Sequence, residues 1–369
     1  MDKSHSPDYS FIITAGAIIL FGLIMLSSAG VAISYKQFND GYYFLKHQIT
    51  FGLMPGIFLF YVLSRIDYKV WKKFAFLILI FSIAMLLLVF TNIGTSLGTN
   101  AQSWIKIAGI SFQPSEFVKL TFLIYLASWL SKKDEKIIDF TYGLLPFILL
   151  LGTIVFLVLP DTGTMIIILS MSFIVYFAAG ASMLHLAGIS GIGVILLYIL
   201  IKFKPYRMAR FMTFLHPEID PQGIGYHINQ ALLAIGSGGF WGKGFGHSRQ
   251  KFLYLPLPVN DSIFAIIAEE MGFFVVAGLI LGFLFLFYKG IQIAKKAPDE
   301  FGKLLGIGIM SWIIIQTFIN ISGMIGLLPM TGVPLPLVSY GGSALMTSMA
   351  GLGIMVNISK QTVETGRNK

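Results

Sequence analysis

The stretch 11–33, FIITAGAIILFGLIMLSSAGVAI, carries no charge and decides the fold class. About 20 apolar residues in helical form are enough to cross a hydrocarbon core. The stretch is too long and apolar for the h-region of a cleaved signal peptide, and it comes after a polar segment, 1–10. It therefore reads as a first membrane span rather than a secretory signal. The same pattern recurs at 47–64, 74–92, 112–130, 142–159, 163–180, 184–201, 262–288, 304–325 and 343–358. Two of these spans are separated only by Leu159-Pro160-Asp161-Thr162-Gly163, and two by Gly180-Ala181-Ser182. Turn residues in both links require the splits. The whole composition agrees: 56% of residues are apolar and only 12% are charged, too few to cover a soluble surface. The expected fold is an all-α polytopic membrane protein of about ten transmembrane helices. It forms one domain over 1–369, with one large extracytoplasmic loop at about 202–261.

Lys and Arg orient the spans. Lys3, Arg65, Lys69, Lys72, Lys73, Lys132, Lys133, Lys136, Lys289, Lys295, Lys296, Lys303, Lys360, Arg367 and Lys369 all fall in one set of loops, which is expected to be cytoplasmic with both termini. The short loops of the opposite set hold only Lys36, Lys46 and Lys106. The outer loop 202–261 is itself basic, and a long loop can cross regardless of charge. The chain has no cysteine, which excludes disulfides, thiolate metal sites and a cysteine nucleophile. The net charge of +9 suits both anionic headgroups and ordinary basic inner loops.

Candidate chemistry gathers on the outer side. In the loop 202–261, Arg207 and Arg210 share a face if their segment is helical. His216-Pro217-Glu218-Ile219-Asp220-Pro221 reads as a turn. A short helix comes next, with His227, Asn229 and Gln230 at its start and Ile228, Leu232 and Ile235 as its apolar side. Gly236-Ser237-Gly238-Gly239 and Gly242-Lys243-Gly244 suit phosphate contact through backbone N–H groups and the Lys243 charge, and suit plain surface turns as well. Asp261 precedes a span, where it can cap the helix or serve as a general base. Within the membrane, Glu116 and Lys119 lie three residues apart in the fourth span, and Glu269 and Glu270 lie in the eighth. Lys119 is ~10 Å and Glu269 ~12 Å below the outer face at helical rise. Lys119 is therefore expected to pair with Glu116 or Glu269, as a polar centre or as a packing device. The uncharged segment 326–343 holds Ser339, Tyr340, Gly341 and Gly342. It reads as a re-entrant loop that could offer hydrogen bonds to a headgroup. His227 and His247 match no zinc spacing. A divalent cation, Mg or Mn, shared between phosphate and Asp261 is the only cofactor expected.

Together these segments resemble the shape, elongation, division and sporulation family of FtsW and RodA. The resemblance is carried by Trp104-Ile105-Lys106, Phe112 to Glu116 with Lys119, Pro160 to Thr164, Asp220 to Gly223, Gly225-Tyr226-His227, Gln230 to Gly244, Asp261 to Ala265, Glu269 to Gly272, and Gly326 to Ser343. The segment Gly246 to Pro256 is closer to the FtsW branch, which implies division, while Val333 to Leu337 is closer to RodA. The chain departs from the family pattern before Asp261, where the customary acidic and Thr neighbours are replaced in Pro256-Leu257-Pro258-Val259-Asn260. Thr162 stands where Leu is usual.

The resemblance implies a glycosyltransferase that polymerises lipid II at the outer face of the bacterial cytoplasmic membrane. It implies a class B penicillin-binding protein as transpeptidase partner, alongside other division or elongation membrane proteins, and no nucleic acid. It places the essential Asp at Asp261 and the intramembrane pair at Glu116 and Lys119. The substrate contacts expected are Glu116, Lys119, Arg207, Arg210, Gln230, Lys243, Ser339 and Gly341. Two other readings compete: a lipid II flippase lined by Glu116, Lys119, Glu269 and Glu270, and a non-catalytic division scaffold.

Overall fold

The computed structural model describes residues 5–95, 103–107, 110–203, 205–216 and 223–363. Helices dominate it, and they fall where hydropathy puts the ten spans. The first span is α1 (Tyr9–Ala29), capped by the Asp8 carboxylate on the Phe11 N–H at 3.1 Å. It breaks at Gly30, and the chain continues as α2 (Val31–Phe38). The second span is built from α3 (Tyr43–Gln48), a π-turn (Ile49–Leu53) and α4 (Met54–Arg65). Then come α5 (Lys69–Leu88), α6 (Pro114–Leu130), α7 (Leu145–Val158), α8 (Thr162–Ala178) and α9 (Met183–Lys202). The segment between α9 and the next span holds α10 (Pro205–Leu215) and α11 (Ile224–Gly238). The last three spans are α12 (Ile263–Lys295), α13 (Glu300–Met324) and α14 (Gly342–Ser359).

Seven of these helical stretches, among the described residues, are long and apolar enough to cross a membrane by length and composition. The other three expected spans are also helical. Two, α6 and α8, have 17 residues each, and α6 carries Glu116 and Lys119. In the third, α9, the apolar run is short of its full length.

The two tight links form as expected, for a local reason. The Asp161 carboxylate accepts from the Thr164 N–H at 3.1 Å and starts α8. Gly180 adopts a left-handed φ of +91°, and Ser182 Oγ accepts from the His185 N–H at 3.2 Å to start α9.

One element lies outside the all-α expectation. A small antiparallel sheet, β1 (Gly94–Thr95), β2 (Trp104–Ile107) and β3 (Ile110–Phe112), joins α5 to α6. Its strands are too short to show a period in the sequence. The expected apolar side of α11 is also corrected. Its buried face is Ile228, Ala231 and Ala234, packed on α12, while Leu232 is exposed. Small residues take the inner face because the two helices approach closely there.

The core is centred on α13, which packs against α6, α8, α12 and α14. The first and last described segments meet: the His5 N–H donates to the Lys360 carbonyl at 2.9 Å.

Candidate active site

Asp261 sits in the turn that leads into α12 and is almost fully buried. It does not cap the helix. Ser262 holds the cap position, makes no capping bond through its side chain, and leaves Asp261 Oδ1 with no hydrogen-bond partner. The turn is fixed from other directions. Asn320 of α13 donates to the Asp261 carbonyl at 2.8 Å, and the Tyr340 N–H donates to the Val259 carbonyl at 2.8 Å. Gly332, at φ +73°, closes one side, and a methyl added there would lie 3.9 Å from Asp261 Oδ2.

Burial pushes the Asp261 carboxyl above its ordinary value of 3.8. The charges of His227 and Arg210 and nearby backbone N–H groups oppose that rise. Burial also lowers His227, with Arg210 adding to the fall and Asp261 opposing it. Ser262 Oγ gives its one proton to the Pro256 carbonyl at 2.9 Å, so the contact of 2.7 Å to His227 must be donated by Nε2–H. When the imidazole is neutral, its proton is thereby fixed on Nε2. Arg210 lies on α10 and Gln230 one turn beyond His227 on α11. Arg207 precedes Arg210 on α10, which is helical as their shared face requires, but its side chain lies outside the described residues. So does the turn at 217–221.

Below Asp261 the polar residues form a column. Lys119 is fully buried and donates to Glu116 at 2.8 Å and to Gln316 Oε1 at 2.8 Å, with its ammonium 5.0 Å from the Trp312 ring centre. The expected pairing is therefore made to Glu116, and Glu269 is engaged elsewhere. Glu116 Oε2 and Asn320 Oδ1 are buried without partners. Sequence reasoning does not single out Gln316 and Asn320. The available signal is two amides at i, i+4 inside an apolar helix.

The glycine-rich stretch packs backbone to backbone against α12. At Gly272, φ +75°, α12 kinks. The N–H groups of Phe273 and Phe274 turn to the carbonyls of Gly239 and Phe240. The carbonyls of Glu269 and Glu270, freed by the kink, accept instead from the N–H groups of Lys243 and Gly244 at 3.0 and 2.9 Å. Backbone meets backbone so closely that a methyl at Gly238, Gly242 or Gly272 would collide with the opposite chain. The amides of Lys243 and Gly244 are thus consumed by α12.

Side chains lock the same junction. Lys243 pairs with Glu269 at 2.7 Å and keeps about a third of its side chain exposed (31%), so its charge is largely answered within the protein. Glu269 also accepts from Ser248 Oγ and from the N–H groups of Arg249 and Gln250. Glu270 accepts from Lys251 at 2.9 Å and from Ser28 Oγ. Ser339 and Gly341 are likewise turned inward. Ser339 Oγ accepts from the Leu335 N–H at 2.8 Å, and the Gly341 N–H donates to Gln48 at 3.0 Å, so both brace the 326–341 loop. Among the described residues no group of three His, Cys, Asp or Glu is placed to hold a metal ion.

The family model described as cell cycle protein, FtsW/RodA/SpoVE, matches residues 8–364. Stage V sporulation protein E of Bacillus subtilis is 37% identical over 360 residues, 97% of this chain and 98% of that protein. A probable peptidoglycan glycosyltransferase FtsW of Geobacter sp. (strain M18) is 37% identical over 355 residues, 95% of this chain and 96% of the relative. Among solved structures, a chain from work on the structural coordination of polymerization and crosslinking by a peptidoglycan synthase complex aligns with a TM-score of 0.78. Its identity is 27%, over 96% of this chain and 97% of that one. Rod shape determining protein RodA of Thermus thermophilus aligns with a TM-score of 0.72 at 26% identity, over 97% and 98% of the two chains. Sequence and fold agree along the full length: the chain belongs to the FtsW/RodA/SpoVE family.

Proposed function

We propose that this protein is a peptidoglycan glycosyltransferase that polymerises lipid II, with Asp261 as the general base. The observation that carries the reading is the Asp261 carboxylate, buried, with one oxygen unpartnered and its proton affinity raised. A carboxylate in water is too weak a base to take a sugar proton effectively, and partial desolvation corrects that.

The acceptor hydroxyl oxygen bonds to the anomeric carbon of the donor, and its proton passes to Asp261. The bond from that carbon to the phosphate oxygen breaks, and undecaprenyl pyrophosphate leaves with the electron pair. Arg207 and Arg210 of α10 supply positive charge for the pyrophosphate. The contribution of Lys243 is reduced by its pairing with Glu269. Asp261 Oδ1 is engaged as the base, and among the described residues no group of three His, Cys, Asp or Glu is placed to hold a metal, so a Mg or Mn ion would enter with the pyrophosphate, held by its oxygens and water. Bound there, it would neutralise the leaving group.

The engagement of Glu269 and Glu270 in the outer junction supports a polymerase over a flippase, because neither is left to line a path across the bilayer. The Asp261 oxygen left without a hydrogen-bond partner favours an enzyme over a scaffold. In this reading the protein lies in the bacterial cytoplasmic membrane with both termini inside. It works with a class B penicillin-binding protein, the kind of transpeptidase that cross-links strands once they are polymerised. Incubation of the purified protein with labelled lipid II, alone and with that transpeptidase, tests the reading. Glycan strands are expected. Translocation of lipid II across vesicles without glycan product in either sample would overturn it.

A further inference from the structure

Two amides on α13 connect what the sequence presents as separate sites. Trp312, Gln316 and Asn320 succeed one another at i, i+4 and are all buried. Gln316 Oε1 accepts from Lys119 Nζ and from Trp312 Nε1, each at 2.8 Å, and Gln316 Nε2 donates to the Pro334 carbonyl at 2.9 Å. One turn higher, Asn320 Nδ2 spends its protons on two carbonyls, Asp261 and Val333, each at 2.8 Å. The amide orientation is forced, since the reverse would set Oδ1 against two carbonyl oxygens. The 326–341 loop is thus pinned at two consecutive residues. The same atom of Asn320 that pins Val333 also pins the backbone of Asp261. Gly332, next in the chain to Val333, faces the Asp261 carboxylate.

We propose that Gln316 and Asn320 are positioning residues for Asp261: they join the buried Glu116–Lys119 pair and the 326–341 loop to the backbone of the general base. The inference rests on the catalytic reading of Asp261. It assigns Glu116 and Lys119 a role through Gln316 rather than in contact with the substrate. Lys119 has no exposed surface, and its hydrogen bonds and its aromatic contact are all internal.

The chemistry tolerates little displacement. A shift of about 1 Å in a reacting group can cost on the order of a hundredfold in rate. Asn320→Leu and the isosteric Asn320→Asp both remove the two donated bonds, and Gln316→Leu removes the link to Lys119. In the full-length protein each is expected to lower kcat for lipid II polymerisation by about 10–100-fold with KM within about twofold. Adding Lys119→Met to Gln316→Leu is expected to lower kcat little further, because both cut one connection.

A second readout does not need turnover. The infrared carboxyl band that disappears in Asp261→Asn reports the titration of Asp261, which faces His227 and Arg210. Its midpoint is expected to move by about half a pH unit or more in Asn320→Leu, since small changes in a buried group's surroundings shift its titration. A raised KM with unchanged kcat would overturn the proposal in favour of substrate contact. So would a loss of rate that only tracks the folded fraction together with an unmoved Asp261 titration, in favour of packing alone. A wild type that titrates as expected but makes no glycan would instead remove the polymerase reading and leave the positioning measured.

Discussion

Replacing Lys119 with methionine probes a fully buried charge. The ammonium and its partner Glu116 have 0% and 3% side-chain exposure and lie 2.8 Å apart. Methionine keeps most of the stem volume, so cavity formation contributes little. What is lost is the charge. Glu116 Oε1 would lose its donor while Oε2 already lacks one, and Gln316 Oε1 would keep only the Trp312 N–H. Breaking a buried pair by removing one partner costs about 3–5 kcal/mol, because the remaining charge is left uncompensated. Glu116→Gln combined with Lys119→Met removes both charges and is expected to recover at least about half of that loss. Unfolding in mixed micelles against denaturant, monitored by tryptophan fluorescence, measures both of these variants and Glu116→Gln alone. Trp312 lies beside the pair and contributes to the signal with the other four tryptophans. A cost below about 1 kcal/mol for Lys119→Met, or a double variant worse than the sum of the singles, would show that the pair does not hold the helices in this way.

Asp261 predicts a pH dependence with a definite sign. Catalysis needs the ionised carboxylate, so the acid limb of kcat/KM is expected above the ordinary value of 3.8, in the direction burial pushes it. Stability runs the other way. The folded state holds this proton more tightly than the unfolded chain, so the cost of the buried charge grows as pH rises from 3.8 through the folded value. At neutral pH, Asp261→Asn is accordingly expected to match or exceed the thermal midpoint of the wild type, and a clear fall would contradict this. Gly272→Ala is expected to lose ~1–3 kcal/mol to strained backbone and ~1–3 kcal/mol to overpacking against Gly242. Protease accessibility of 239–251 should rise with it, and an unaltered digestion pattern would count against the interlocked junction.

Much of the architecture is legible in the sequence because lipid imposes a coarse rule. A run such as 11–33 has no reading other than a span, and Asp161 and Ser182 announce the two tight links by capping α8 and α9. The polar details are less legible because they depend on what lies across the bundle. Gly238 and Gly242 resemble phosphate-binding glycines, since a close approach of backbone to backbone leaves the same sequence trace as a close approach to a ligand. Hydropathy alone places Glu269 and Glu270 inside the membrane, whereas the kink at Gly272 turns them towards Lys243 and Lys251. Gln316 and Asn320 carry no charge and do not stand out in an apolar helix. Asp261 is marked by its place among the motifs, but its position before a span favours a helix cap. Only the fold shows its free oxygen.

Whether Asp261 is the base of a polymerase is tested most closely by glycan synthesis from labelled lipid II, with purified wild type and Asp261→Asn compared at equal folded concentration. Long glycan strands are expected from the wild type and none from the variant, with lipid II binding retained. Wild-type levels of product from Asp261→Asn would remove Asp261 from the chemistry.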